Sequence, residues 1–160
     1  MSPRLRRKSW KSWKSLLPPA AEIHKSIDMM PLEYLKELSY EIRGAAMDVY
    51  NELGPGLLES VYEKALIQEF KLREIEAVSQ VPVNILYKGV SVGNDLRVDL
   101  LVDDTVILEL KSVEEVKKVY YKQLRTYMKL LNKPEGWIIN FGEADFSKGM
   151  IRLQNYDFHQ

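Results

Sequence analysis

At 160 residues, 46% of them hydrophobic, the chain is long enough for one globular domain with a real core, and no apolar run reaches the ~20 residues of a membrane span. With no cysteine it can form no disulfide, zinc-thiolate site or iron–sulfur cluster, which points to the cytoplasm. Its 23 basic and 23 acidic residues cancel, but six cations with no acid in the first fourteen residues leave the remainder at −6, too acidic for its whole surface to bind nucleic acid strongly and non-specifically.

Residues 1–30 read as an extension outside the domain, which then spans 31–160. A basic Ser/Trp/Lys run precedes Leu16-Leu17-Pro18-Pro19, and no apolar core of adequate length follows it, so it is not a secretory signal. Plain disorder, or an upstream extension from a start codon placed too early, ranks first, since Met29 and Met30 precede the first well-patterned helix. The other readings are a basic arm with Trp10 and Trp13 stacking on bases, or an amphipathic surface helix. From Pro31 to Leu53, Leu35, Leu38, Ile42, Ala45, Ala46, Val49 and Leu53 recur at steps of three and four, as an amphipathic helix requires. Gly54-Pro55-Gly56 ends it. A second helix, about Leu57 to Leu72, carries Leu58, Val61, Tyr62, Ala65 and Leu66 on its core face. Glu59 sits at the edge of that face, where its carboxylate is expected to be at least partly buried. An acid in the first turn also suits the helix dipole, and with Gly56 as N-cap Glu59 takes the N3 capping position, so capping and catalysis stand as equal readings.

Val81 to Tyr87 alternates as a strand, Lys88-Gly89 is a turn, and Val90 to Val102 is a longer strand loosened at Gly93-Asn94. A polar turn then leads to Val106–Lys111. Both apolar runs carry acids where a buried strand normally carries none, Asp99 and Glu109, with Lys111 two residues further on. A two-residue turn at Asp103-Asp104 would put Asp99 and Glu109 on opposite faces of the sheet. A three-residue turn, Asp103 to Thr105, pairs Val102 with Val106, Asp99 with Glu109 and Arg97 with Lys111. The second register is the one expected. It gathers Val98, Leu100, Val102, Val106, Leu108 and Leu110 on an apolar face and Arg97, Asp99, Glu109 and Lys111 on the other. Two carboxylates and an ammonium on one patch are what a Mg²⁺ or Mn²⁺ site for phosphodiester hydrolysis requires. The alternative is a cross-strand salt bridge, the commoner meaning of an isolated Glu-x-Lys.

Val113 to Leu131 reads as a helix with Val116, Val119, Tyr120, Gln123, Leu124, Tyr127, Leu130 and Leu131 on one side. Lys118, Lys122, Arg125 and Lys129 form a stripe on the other, which reads as a solvated face. Gln123 and Tyr127 lie one turn apart on the inward side. A buried glutamine amide needs partners, which either a metal–phosphate site or another element's backbone supplies. Asn132-Lys133-Pro134 stops the helix, Gly136–Gly142 is a buried strand and Met150–Leu153 the last. His24 and His159 have no metal-ligand spacing to any partner.

These residues carry a resemblance. Glu59 on a helix, Asp99 on a strand, Glu109-Leu110-Lys111 on the next and Gln123 to Tyr127 on the following helix resemble the PD-(D/E)XK nuclease superfamily, and the Gln-x-x-x-Tyr is similar to its RecB-like exonuclease branch. More narrowly, Gly56, Glu59 and Tyr62, with Asn140-Phe141-Gly142 near the end, resemble the small GxxExxY proteins. The resemblance implies an α/β (α+β) class with a restriction-endonuclease-like α-β-β-β-α-β core, a central mixed sheet flanked by helices. It implies Mg²⁺- or Mn²⁺-dependent cleavage of DNA, with Asp99, Glu109, the Leu110 carbonyl and Glu59 as metal ligands. Lys111 would stand beside the attacking water, with Gln123 and Tyr127 completing the site. It further implies a homodimer or a helicase, repair or defence partner, and no membrane. Val98 replaces the proline that often precedes the first acid, and Tyr120 stands where the small family usually has histidine. The competing class is a catalytically inactive module of the same fold that binds nucleic acid or a protein, which the acidic body favours; an RNA target also stays open.

Overall fold

The computed structural model describes Ser15 and residues 32–156. The expectations for Pro31, His24, His159 and the N-terminal extension, Ser15 apart, lie outside the described residues. The chain divides into two compact units, residues 1–44 and 45–160. Helix α1 (Leu32–Leu53) runs through that boundary. In the first unit Tyr34, Leu35, Leu38 and Ile42 are buried along it. In the second, Ala45, Ala46 and Val49 continue the buried row. Leu53, expected on that row, is exposed. Tyr50 takes the inward place in the last turn instead, stacking on Phe146 with centroids 4.2 Å apart and donating its hydroxyl to the Glu143 carbonyl at 3.0 Å.

The remaining elements of the second unit are α2 (Glu59–Leu72), β1 (Ala77–Tyr87), β2 (Val90–Val102), β3 (Val106–Lys111), α3 (Lys118–Leu130), β4 (Glu135–Asn140), α4 (Phe146–Gly149) and β5 (Met150–Gln154). The five strands form one mixed sheet in the order β1-β2-β3-β4-β5. Only β3 and β4 are parallel, with α3 as their crossover; the other neighbours are antiparallel. All six residues of β4 are buried, as a central strand next to a parallel neighbour requires. The class and core expected from the sequence are those observed.

The three-residue turn is present. Val102 pairs with Val106, Leu101 with Ile107 and Leu100 with Leu108. Asp103 and Asp104 take φ of 47° and 52°, a left-handed region that aspartate tolerates better than most residues. Thr105 N–H closes on the Val102 carbonyl at 2.9 Å. The nearly buried Lys133 fixes the turn from outside, its Nζ donating to the Asp104 carbonyl at 2.8 Å and to its carboxylate at 2.9 Å. All six residues expected on the apolar face are buried. Val98, however, packs with Leu101, Ile107 and Ile138, the set that meets Leu124, Tyr127 and Met128 of α3. The alternation is broken beside it, because Gln80, lying between the pairs Ser79–Leu100 and Val81–Val98, has φ 54°.

Other boundaries depart from the sequence expectation. Strand β1 starts four residues earlier, at Ala77, paired with Val102. Helix α2 starts at Glu59, with Leu58 as an extended N-cap (φ −70°, ψ 148°). Leu58 is therefore off the helix face and exposed; Tyr62, Leu66 and Phe70, at steps of four, form the buried stripe and leave Val61 on its flank. Helix α3 starts at Lys118 rather than Val113, and Val119 and Leu130 are exposed. The delay has a cause in the buried Asn140. Its Oδ1 accepts the Val113 N–H at 3.0 Å and its Nδ2 donates to the Val113 carbonyl at 2.9 Å, so the carbonyl that would accept the first bond of a helix starting there is taken.

Candidate active site

The site begins where the β2–β3 ladder ends. Beyond Leu100–Leu108 a side chain takes over from the main chain, and Asp99 Oδ2 accepts the Leu110 N–H at 2.7 Å. The odd-length turn thus sets Asp99 against the Glu109–Leu110 segment of β3. Glu109 is 5% exposed, and its Oε1 is buried without a hydrogen-bond partner. Burial, reinforced by the charge of Asp99, pushes the Glu109 carboxyl from its ordinary 4.5 up to about 8. Burial also raises Asp99; the Leu110 N–H and Lys111 pull it back, while Glu63 and Glu59 oppose them. Two adjacent acids that both hold their protons above the ordinary range are a site short of positive charge.

Lys111 does not supply that charge by direct contact. It is in no ion pair among the described residues; its Nζ lies over the Tyr120 ring, 4.6 Å from the centroid. The cross-strand salt bridge is therefore not what these residues form. Arg97, expected on the same face, turns to β1 and donates to the Gln80 carbonyl at 3.0 Å. Gln123 is half-buried, and its Nε2 donates to the Tyr127 hydroxyl at 2.7 Å rather than to either carboxylate.

Glu59 corrects an expectation. It is exposed, as the first residue of α2, because the helix starts two residues late. Its capping alternative fails for the same reason, since Leu58, not Gly56, is the N-cap. Glu59 Oε1 instead accepts the Ser112 N–H at 3.3 Å, just past Lys111. Among the described residues no three His, Cys, Asp or Glu side chains are gathered closely enough to hold a metal ion. The chemistry of the donors nevertheless fits a hard divalent cation: oxygens only, two converging carboxylates, and one carboxylate oxygen buried and orphaned.

The loop before α2 is tied to this end of the sheet. Gly56 has φ 96°, a conformation glycine adopts without strain. The Tyr62 hydroxyl donates to the Gly54 carbonyl at 2.5 Å and accepts the Leu57 N–H at 3.2 Å. The Tyr62 ring stacks on Phe141 at 4.0 Å, and Ser112 Oγ donates to the Leu57 carbonyl at 2.7 Å. Gly142 lies so close to Val113 that a Cβ there would come within 2.3 Å of the Val113 oxygen. The Gly-x-x-Glu-x-x-Tyr and Asn-Phe-Gly stretches, 78 residues apart from Tyr62 to Asn140, therefore build one joint beside Lys111. Reading the sequence missed Ser112, the clamp role of Asn140, and Glu63, which acts on Asp99 and accepts the Gln80 amide at 2.7 Å. Glu63 carried one signal, its place one turn beyond Glu59.

A mixed sheet with flanking helices, whose hairpin sets the half-buried Asp99 and the buried Glu109 beside a lysine in no ion pair among the described residues, defines a nuclease-type fold. A family model described as the PD-(D/E)XK nuclease superfamily matches residues 36–153. The chain belongs to the PD-(D/E)XK nuclease superfamily, and its fold is restriction-endonuclease-like. No curated protein and no solved structure matches it.

Proposed function

We propose that the chain is a divalent-metal-dependent deoxyribonuclease of the GxxExxY type, in the RecB-like branch of its superfamily. The observation that carries the reading is Glu109, a buried carboxylate with an orphaned oxygen beside a second acid. A purely structural role leaves that oxygen uncompensated, at a cost of about 1–3 kcal/mol or more. In this reading Asp99, Glu109 and the Leu110 carbonyl hold Mg²⁺ or Mn²⁺, with Glu59 reaching in from the rim. The bound ion supplies an acidified water and neutralises phosphate charge. Lys111, held on the Tyr120 ring and in no ion pair among the described residues, offers its hydrogens to a phosphate oxygen or to the attacking water. Gln123 keeps its carbonyl and one amide hydrogen for orienting substrate, and Tyr127 fixes the other hydrogen. The acidic body calls for added basic surface from a second copy or from a helicase, repair or defence partner.

One observation favours the inactive module: no three carboxylates are gathered among the described residues. Linear and branched DNA incubated with Mg²⁺ or Mn²⁺ separates the two readings. Cleavage by the wild type that is lost in Asp99→Ala and Lys111→Ala supports the nuclease. No cleavage by the wild type, or equal cleavage by both variants, leaves the module.

A further inference from the structure

A strongly charged surface lies outside the site. Lys117, the N-cap of α3, and Lys118, Lys122, Arg125 and Lys129 along it are all exposed. Helix α3 contains no acid, and none of the five cations is in an ion pair among the described residues. The four helical cations follow at steps of four, three and four, which makes one row about 16 Å long.

This row works against the helix that carries it. Neighbouring like charges at these spacings repel. Lys117 and Lys118 add positive charge at the positive end of the helix dipole, where an acid would stabilise and where the first turn has none. Local rules broken together without a compensating partner mark a surface kept for something outside the fold. The position of the row says what. Tyr120, in the same first turn as Lys118 but about 200° around the helix from it, carries the Lys111 ammonium, so the row begins at the end of α3 that reaches the candidate site and runs along its outer face. It ends at a cavity of ≈ 360 Å³ lined by Arg125 and Lys129 together with Gln154 and Asn155. A membrane surface is the poorer occupant, because most of the apolar side of α3, Leu124, Tyr127 and Met128, is buried in the core, and Val119 and Leu130 alone are too little to insert.

We propose that this row holds the phosphate backbone of the nucleic acid flanking the cleaved bond, a placement that rests on the nuclease reading above. Each of the four helical cations can meet at most one phosphate, which bounds the electrostatic contribution of the row. The acidic balance of the chain beyond its first fourteen residues then becomes a guide, disfavouring other placements of the strand on the domain.

The test uses the full chain without divalent ions, so that nothing is cut. Binding of labelled duplex and single-stranded oligonucleotides is followed by fluorescence anisotropy across a salt series. The comparison is between the wild type, the quadruple variant Lys118→Gln, Lys122→Gln, Arg125→Gln, Lys129→Gln, and a control of exposed lysines elsewhere, Lys36→Gln with Lys71→Gln. Each lost phosphate contact lowers the slope of log affinity against log salt by about 0.9 on duplex, so the quadruple variant loses about 3 to 4 and the control nothing. Thermal melting of the quadruple variant is expected at or above that of the wild type, since it sheds repulsion. An unchanged slope overturns the proposal, as does binding to phosphatidylserine vesicles with none to oligonucleotides. Unchanged binding with cleavage intact removes the row and spares the nuclease; row-dependent binding without cleavage does the reverse.

Discussion

The ammonium of Lys111 rests over the ring of Tyr120, 4.6 Å from its centre, and not against Asp99 or Glu109. An aromatic face holds a cation without neutralising it, so the lysine stays close to the acids yet available to a substrate anion. Tyr120→Phe keeps the ring and is expected to retain cleavage within about twofold. Tyr120→Leu removes an interaction of about 0.5–2 kcal/mol and is expected to lower turnover about threefold to thirtyfold. Single-turnover cleavage rates, with thermal melting as the folding control, check both.

The raised Glu109 carboxyl makes stability depend on pH in an unusual sense for an acid. The folded chain keeps the proton up to about 8, whereas the ordinary value is 4.5. Between those values the folded state carries the extra proton, so stability is highest at the acid end and falls as pH rises, by up to about 1.4 kcal/mol per unit for this one group. The raised Asp99 acts in the same sense. Urea unfolding of the metal-free chain between pH 5 and 8 is expected to slope downward, and Glu109→Gln is expected to flatten the slope and to be the more stable protein at pH 8.

Asn140 and Gly142 are predicted to matter to folding before chemistry. The Asn140 amide makes three hydrogen bonds, two with Val113 and one from the Gly142 N–H at 3.1 Å. Asn140→Ala leaves those part-buried main-chain groups unpaired and should cost about 1–3 kcal/mol. Gly142→Ala drives a methyl into the Val113 backbone and should cost a similar amount, because neither partner is a flexible side chain. Denaturant midpoints measure both, and the same variants are expected to lose the Ser112–Glu59 contact.

What was legible in the sequence was local or periodic. The odd-length turn followed from asking which register lets Asp99 meet Glu109, and two aspartates that tolerate positive φ made it feasible. Strand β4 declared itself by its apolar run. What was not legible depended on distant partners. Val113 to Lys117 reads as helix until Asn140, twenty-seven residues from Val113, takes the Val113 main chain. Glu59 looked half-buried only while α2 was assumed to start at Leu57. Val98 changed sides because of a left-handed Gln80 on the neighbouring strand. The Lys111–Tyr120 contact needed α3 laid back over the sheet, which no spacing along the chain reveals.

Calorimetric titration of the metal-free chain with Mn²⁺ at pH 7 asks directly whether Asp99 and Glu109 form a cation site. Saturable binding accompanied by proton release is expected, because Glu109 gives up a proton it otherwise holds up to about 8, with both signals lost in Glu109→Gln. No binding, or binding that Glu109→Gln leaves unchanged, would contradict a cation site there.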